Sequence, residues 1–270
     1  MSPVSASVAA LVLYVMAALR QARALATAAP AADRPAALPY GWAGAALILH
    51  GVGLWRGMQT GAGVNLGFFN SASLVMWIIV LILLAMSRYR PLAGLALMVF
   101  PAAALAVALD VIFTSRRVLP ADTPPGVQVH IALSLLAYSV LAIAALEAAL
   151  LAVADRLLRQ HRPRRLLNVL PPLATMESLL FQLLSGGLFL LSLGLISGFM
   201  FVENLMAQHL VHKTVLSLLA WCVFALLLWG RHQRGWRGRI AVNYTLGGFA
   251  LLALAFFGSE FVLQLILHRV

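Results

Sequence analysis

Cysteine occurs once in the 270 residues, as Cys222 inside an apolar run. A lone thiol makes no intrachain disulfide. With no CxxC or CxxCH pair, the chain is neither a thiol–disulfide carrier nor itself a c-type cytochrome. Lysine also occurs once, as Lys213, and acids are scarce, with 8 Asp and Glu in all. Neither HExxH nor a compact zinc spacing is present, and the glycines at 57, 61, 63 and 67 do not spell GxxxxGK[ST]. A zincin site and a phosphate cradle are therefore not expected. No nucleophile stands beside a paired base, so no catalytic constellation is expected either, and the chain reads as a non-enzyme.

What the chain has in abundance is apolar surface. Hydrophobic residues make up 63% and charged residues only 10%, and mean hydropathy is +0.96. A soluble norm is about 45–50% apolar, so the bilayer must act as solvent. Eight apolar runs follow one another: Val4–Leu19, Tyr40–Trp55, Ala72–Met86, Leu92–Leu109, Val129–Ala154, Leu179–Val202, Val211–Gly230 and Ile240–Leu267. Most approach the ~20 residues a helix needs to span the hydrocarbon, and none alternates like a barrel strand. The expected fold is all-α: a polytopic bundle of about eight transmembrane helices in a single domain over 1–270.

The net charge of +11 is nearly all arginine. Its distribution orients the bundle. Arg20, Arg23, Arg34, Arg88, Arg90, Arg156, Arg159, Arg162, Arg164, Arg165, Arg231, Arg234, Arg237 and Arg239 fall in alternate loops. The other side holds only Arg56, Arg116, Arg117, Lys213 and Arg269. The richer side faces the cytoplasm, which puts both termini outside. Arginine in loops between apolar runs reads as attraction to anionic lipid, and no nucleic-acid partner is expected. The leading MSPVSASV has no positive charge, so the first run is expected to be a retained helix rather than a cleaved signal.

Five of the seven histidines map to the outer half: His50 within the second run, His130 opening the fifth, His209 and His212 at the start of the seventh, and His268 closing the eighth. His161 and His232 lie in basic loops and are expected to be solvated. Imidazole is costly in lipid without a partner, so His50 is expected to face the bundle interior. Any one helix-end histidine is ordinarily a solvated or capping residue. The grouping points to a shared site, because neutral imidazole binds metal and haem iron. Ser134 and Tyr138 share roughly the His130 face of their helix and are candidates to orient it. Glu260, Gln264 and His268 are spaced to form a polar stripe. Glu147 lies in the inner half of its helix and must be paired or neutral. Gly194 and Gly198 form a GxxxG pair, read as helix packing.

Longer stretches carry a resemblance: VHIALSLLAYSVLAIAALEAALL from Val129, ESLLFQLLSGGLFLLSLGLISG from Glu177, HKTVLSLLAWCVFALLLWGRHQRGWRGR from His212, and AFFGSEFVLQLILH near the end. In these the chain resembles the CcsA-type cytochrome c assembly family of haem-handling membrane proteins, in its short bacterial YpjD-like branch. The resemblance runs from about His50 to His268. It implies a location in the bacterial inner membrane and haem held at the outer face between histidines that flank a tryptophan-rich loop. Carried over, His130 and His268 match the two outer histidines, and His50 is a candidate for the one within the membrane. The tryptophan-rich segment falls at Phe201–Thr214, where this chain has FVENLMAQHLVHKT and no tryptophan. His212 stands there as a secondary candidate.

Two functions are expected from this. The first is haem binding or handling at the outer face, with membrane protein partners of cytochrome c assembly and no metal other than haem iron. The second is a helical accessory or small-solute transport protein that kept the scaffold and lost haem, with His50, Glu260 and Gln264 lining a polar cavity.

Overall fold

A computed structural model describes residues 2–27, 38–113, 117–160, 171–201 and 208–258. Among them are eight α-helices: α1 (Pro3–Thr27), α2 (Tyr40–Met58), α3 (Phe68–Met86), α4 (Ala93–Ile112), α5 (Pro125–Arg159), α6 (Leu173–Phe201), α7 (Gln208–Arg234) and α8 (Arg239–Ala253). The protein is a polytopic helical membrane protein. Seven of these helices are long and apolar enough to cross a bilayer. α2 is not among them, because five glycines, His50 and Arg56 dilute its apolar character. α1 and α3 flank it, and its outward positions still carry the apolar Ile48, Val52 and Trp55.

The helices fall into two compact units, Met1–Ala121 with Ala154–Pro172, and Asp122–Val153 with Leu173–Val270. In the first, α1 to α4 run up and down. Antiparallel neighbours meet at matching heights: Arg20 stacks over the Trp42 ring at 5.4 Å, and Trp77 donates to the Leu47 carbonyl at 2.9 Å. Gln21 donates to the Ala93 carbonyl at 3.3 Å. α1 and α2 touch closely at Gly53, where an added Cβ would run into the Ser7 hydroxyl and come within 3.3 Å of the Ser7 amide. Small residues at a crossing are the means by which helices approach in lipid, where no hydrophobic force pushes them together.

A small sheet joins the helix ends. β1 (Gln59–Thr60), β2 (Gly63–Asn65) and β3 (Val118–Pro120) form an antiparallel ribbon in that order, with Val64 opposite Leu119. Pairing them satisfies backbone groups beside the membrane, and Asn65 Oδ1 ties the ribbon to its flanks by accepting from the Gly67 and Arg117 amides at 3.1 and 2.9 Å. Gly63 sits at φ 146°, and a Cβ there would run into the Leu119 carbonyl oxygen. Gly63→Ala should cost about 2 kcal/mol locally and raise hydrogen exchange at Val64 and Leu119. Gly61→Ala, with open space around the position, should not.

In the second unit, α7 and α8 are joined by a tight turn with Gly235 at φ 67° and Gly238 at φ 54°. Glu177 secures it, accepting from the Gly238 amide at 2.7 Å and pairing with Arg237 at 3.4 Å. The last apolar run was expected as one helix to Leu267. Within the described residues it is α-helical through Ala253 and π-helical over Leu254–Gly258, and the remainder of the run lies outside them. The wider turn accompanies a ring cluster, with Phe249, Phe256 and Phe257 all within 5.5 Å of Tyr138, centroid to centroid.

Candidate functional site

The second unit contains a built histidine site on the seam of α5 and α6. α5 begins at Pro125, a residue suited to the first turn because its missing N–H has no intrahelical partner there anyway. Five residues on, His130 faces α6. The seam follows small residues. Cβ atoms added at Gly187, Gly194 and Gly198 would meet Leu141, Ser134 and His130 respectively, and one added at Gly126 would meet Phe201. Numbers rise along α5 as they fall along α6, so the two run antiparallel.

The glycines do more than shorten the distance between backbones. His130 Nδ1 lies 2.9 Å from the Gly194 carbonyl oxygen and 3.3 Å from the Ser197 hydroxyl. The Ser197 hydroxyl itself donates to the same carbonyl at 2.8 Å. A side chain at Gly198, one turn on, would cover that carbonyl; its Cβ would stand 2.9 Å from His130 Cε1.

A carbonyl oxygen only accepts, so the proton sits on Nδ1 and the Nε2 lone pair is left for another group. Among the described residues Nε2 has no hydrogen-bond partner, and the ring is half-buried. A carbonyl accepting from one ring nitrogen orients a ligating imidazole and raises the basicity of the other. The residues here thus fit a histidine that would hold haem iron through Nε2.

His50 does not fit that role as it stands. It lies in the first unit, only 1% exposed. Its Nδ1 is 3.2 Å from the Tyr14 hydroxyl and its Nε2 is 2.9 Å from the Ser73 hydroxyl. Both nitrogens are occupied, so ligation would require breaking one of these bonds. The expectation that it faces the bundle interior holds. His212 is exposed near the start of α7, and no hydrogen bond links it to His130. His268 lies outside the described residues, as do Glu260, Gln264 and the 202–207 part of the tryptophan-free segment. Among the described residues, no group of three or more His, Cys, Asp or Glu is disposed to hold a metal ion.

Ser134 and Tyr138 were candidates to orient His130, but the orienting groups come from α6. Ser134 packs against Gly194 and Tyr138 against the phenylalanines. Gly194 and Gly198 had registered only as packing residues; Ser197 inside their GxxxG window, facing a histidine, was the available signal. Glu147 is buried at 3% exposure. Among the described residues it has no hydrogen-bond or ion-pair partner, and none of the site residues touches it.

Residues 42–267 match the family described as cytochrome C assembly protein. The chain is 37% identical over 224 residues to the inner membrane protein YpjD of Escherichia coli (strain K12), covering 82% of this chain and 84% of that one. It is 33% identical over 147 residues to a 28.8 kDa protein of Azospirillum brasilense, 53% of this chain and 54% of that protein. It is 28% identical over 92 residues to the cytochrome c biogenesis protein CcsA of Gloeobacter violaceus, 33% of this chain and 27% of that one. No solved structure matches.

Proposed function

The chain belongs to the cytochrome c assembly protein family as a multi-pass inner-membrane protein, and from that premise we propose that it binds haem at the outer membrane face. In this reading 1–270 is a single transmembrane domain with both termini outside, which the arginine distribution supports. The observation that carries the proposal is the His130 imidazole, held at Nδ1 by the Gly194 carbonyl, with no partner at Nε2 among the described residues. His130 and His268 would hold the haem iron, with His212 as a secondary candidate. When bound, haem supplies the iron chemistry. The chain supplies position: Gly194 and Ser197 set the tautomer and angle of His130, and Gly198 leaves room for the ring.

The test is the absorbance spectrum of the purified protein with and without added haem. A Soret band is expected, altered by His130→Ala and by His268→Ala but not by His232→Ala at the exposed end of α7. A protein with no Soret band under either condition does not bind haem.

A second reading rests on the tryptophan-free segment Phe201–Thr214: a helical accessory or small-solute transport protein on the same scaffold. It predicts a normal cytochrome c pool in a deletion strain together with the absence of a Soret band.

A further inference from the structure

The α7–α8 end of the second unit gathers four arginines around one acid. Arg231 and Arg234 close α7, Arg237 lies in the turn and Arg239 opens α8. Among the described residues Glu177 is the one acid that any of them meets, and it is engaged by the Gly238 amide and by Arg237. Arg231 is engaged within the fold. Its guanidinium lies 4.5 Å from the Phe181 ring centroid and donates to the Trp236 carbonyl at 3.3 Å. Arg234 and Arg239 are exposed, and among the described residues neither has a carboxylate partner.

The turn holds these groups in place. Gly235 and Gly238 take positive φ, and the chain folds back so closely that a Cβ at Gly230 would run into the Trp236 indole. Trp236 in turn packs against Tyr244 of α8, 5.2 Å between centroids. Arg234 lies over Trp229 at 5.2 Å, and that indole is 49% exposed. An arginine on an outward-facing indole at a helix end sits where amphipathic rings meet lipid headgroups. α7 and α8 pack on each other. Packed helices lie about 8–10 Å apart at their axes, so the long side chains of Arg234 and Arg239 can close on one phosphate.

Along the membrane span, α7 has room for the rest of a lipid. Val215, Leu219, Leu226 and Trp229 are exposed at a spacing that puts them on one helix face. Of the seven spanning helices α7 is the least covered, with 17% of its apolar segment buried against 33–50% in the others. The stripe ends at the Trp229–Arg234 pair. We propose that the α7–α8 turn and this face of α7 form a binding site for one anionic phospholipid. Its phosphate lies between Arg234 and Arg239, and its acyl chains follow the α7 stripe. Four guanidiniums against one carboxylate favour an anionic headgroup over a zwitterionic one. Glu177 holds Arg237 back and so limits the affinity. The site does not involve His130 and does not rest on haem binding.

The test is native mass spectrometry of the full-length protein in detergent, titrated with phosphatidylglycerol or with phosphatidylethanolamine. One phosphatidylglycerol should be retained in preference to phosphatidylethanolamine. Arg234→Gln and Arg239→Gln should each weaken that first binding event about fivefold, the effect of one arginine near a headgroup. Glu177→Gln keeps an acceptor for the Gly238 amide but frees Arg237, and should tighten binding by a similar factor. Arg23→Gln combined with Arg88→Gln removes two exposed arginines from the first unit. That pair should leave the first binding event unchanged, which separates a built site from the general attraction of loop arginines to the membrane. Equal retention of the two lipids would overturn the site. So would an equal weakening by the first-unit pair, or displacement of the lipid by inorganic phosphate, which would make this a site for free phosphate.

Discussion

Gly198→Leu is expected to lower haem affinity by roughly 10- to 100-fold, the range found when a group that orients a metal-binding histidine is disturbed. The substitution touches no proposed ligand atom. It acts because even a Cβ at this position would stand 2.9 Å from His130 Cε1 and 3.2 Å from Nδ1. A leucine must drive the ring off the helix, which breaks the bond from Nδ1 to the Gly194 carbonyl. The imidazole then loses its fixed tautomer and its angle. Haem titration followed by the Soret band measures the change. Gly186→Leu on the same helix, with nothing within 4 Å of its added Cβ, is the control and should bind as the wild type does. Equal affinities for the two variants would mean that the seat at Gly198 has no part in binding. Ser197→Ala should have a smaller effect than Gly198→Leu, since the carbonyl remains in place and only the 3.3 Å contact is lost.

Gly53→Leu should produce the largest loss of stability, about 3 kcal/mol, the upper part of the usual range for overpacking a close contact. The clash is with the backbone as well as with a side chain: the Ser7 hydroxyl, the Ser7 amide and the Pro3 carbonyl all lie around the missing Cβ. Backbone cannot rotate away, so α1 and α2 must separate. The Tyr14–His50 bond lies one turn along the same interface and should weaken with it. Reversible unfolding in mixed micelles measures the first effect, and the histidine 15N spectrum reports the second. Gly44→Leu on the same helix meets nothing within 4 Å and should be close to neutral or mildly stabilising, since glycine is a poor helix former.

The two substitutions expose a difference in what could be read before the fold was known. Class, helix number and most helix positions follow from run length and hydropathy, because a segment of ~20 apolar residues has few ways to satisfy its backbone in lipid. The family is legible for a similar reason: long apolar stretches with fixed polar interruptions. His130 was identifiable as a histidine at a helix entrance. Its partner was not, because Gly194 is 64 positions away and glycine presents no side-chain chemistry to notice. The π-helical turn at Leu254–Gly258 was equally hidden, since hydropathy does not distinguish a π turn from an α turn. The ribbon escaped notice because its strands are two or three residues long.

By itself, then, the sequence determined that this is a helical inner-membrane protein of the cytochrome c assembly family. Those properties are sums over local composition, and local composition survives without coordinates. Only the tertiary structure decided which histidine nitrogens are engaged. His50 is closed on both sides by Tyr14 and Ser73, while His130 is anchored on one side and has no partner on the other among the described residues. A ligand needs a lone pair with a direction, and that direction is set by hydrogen bonds between helices distant in the chain.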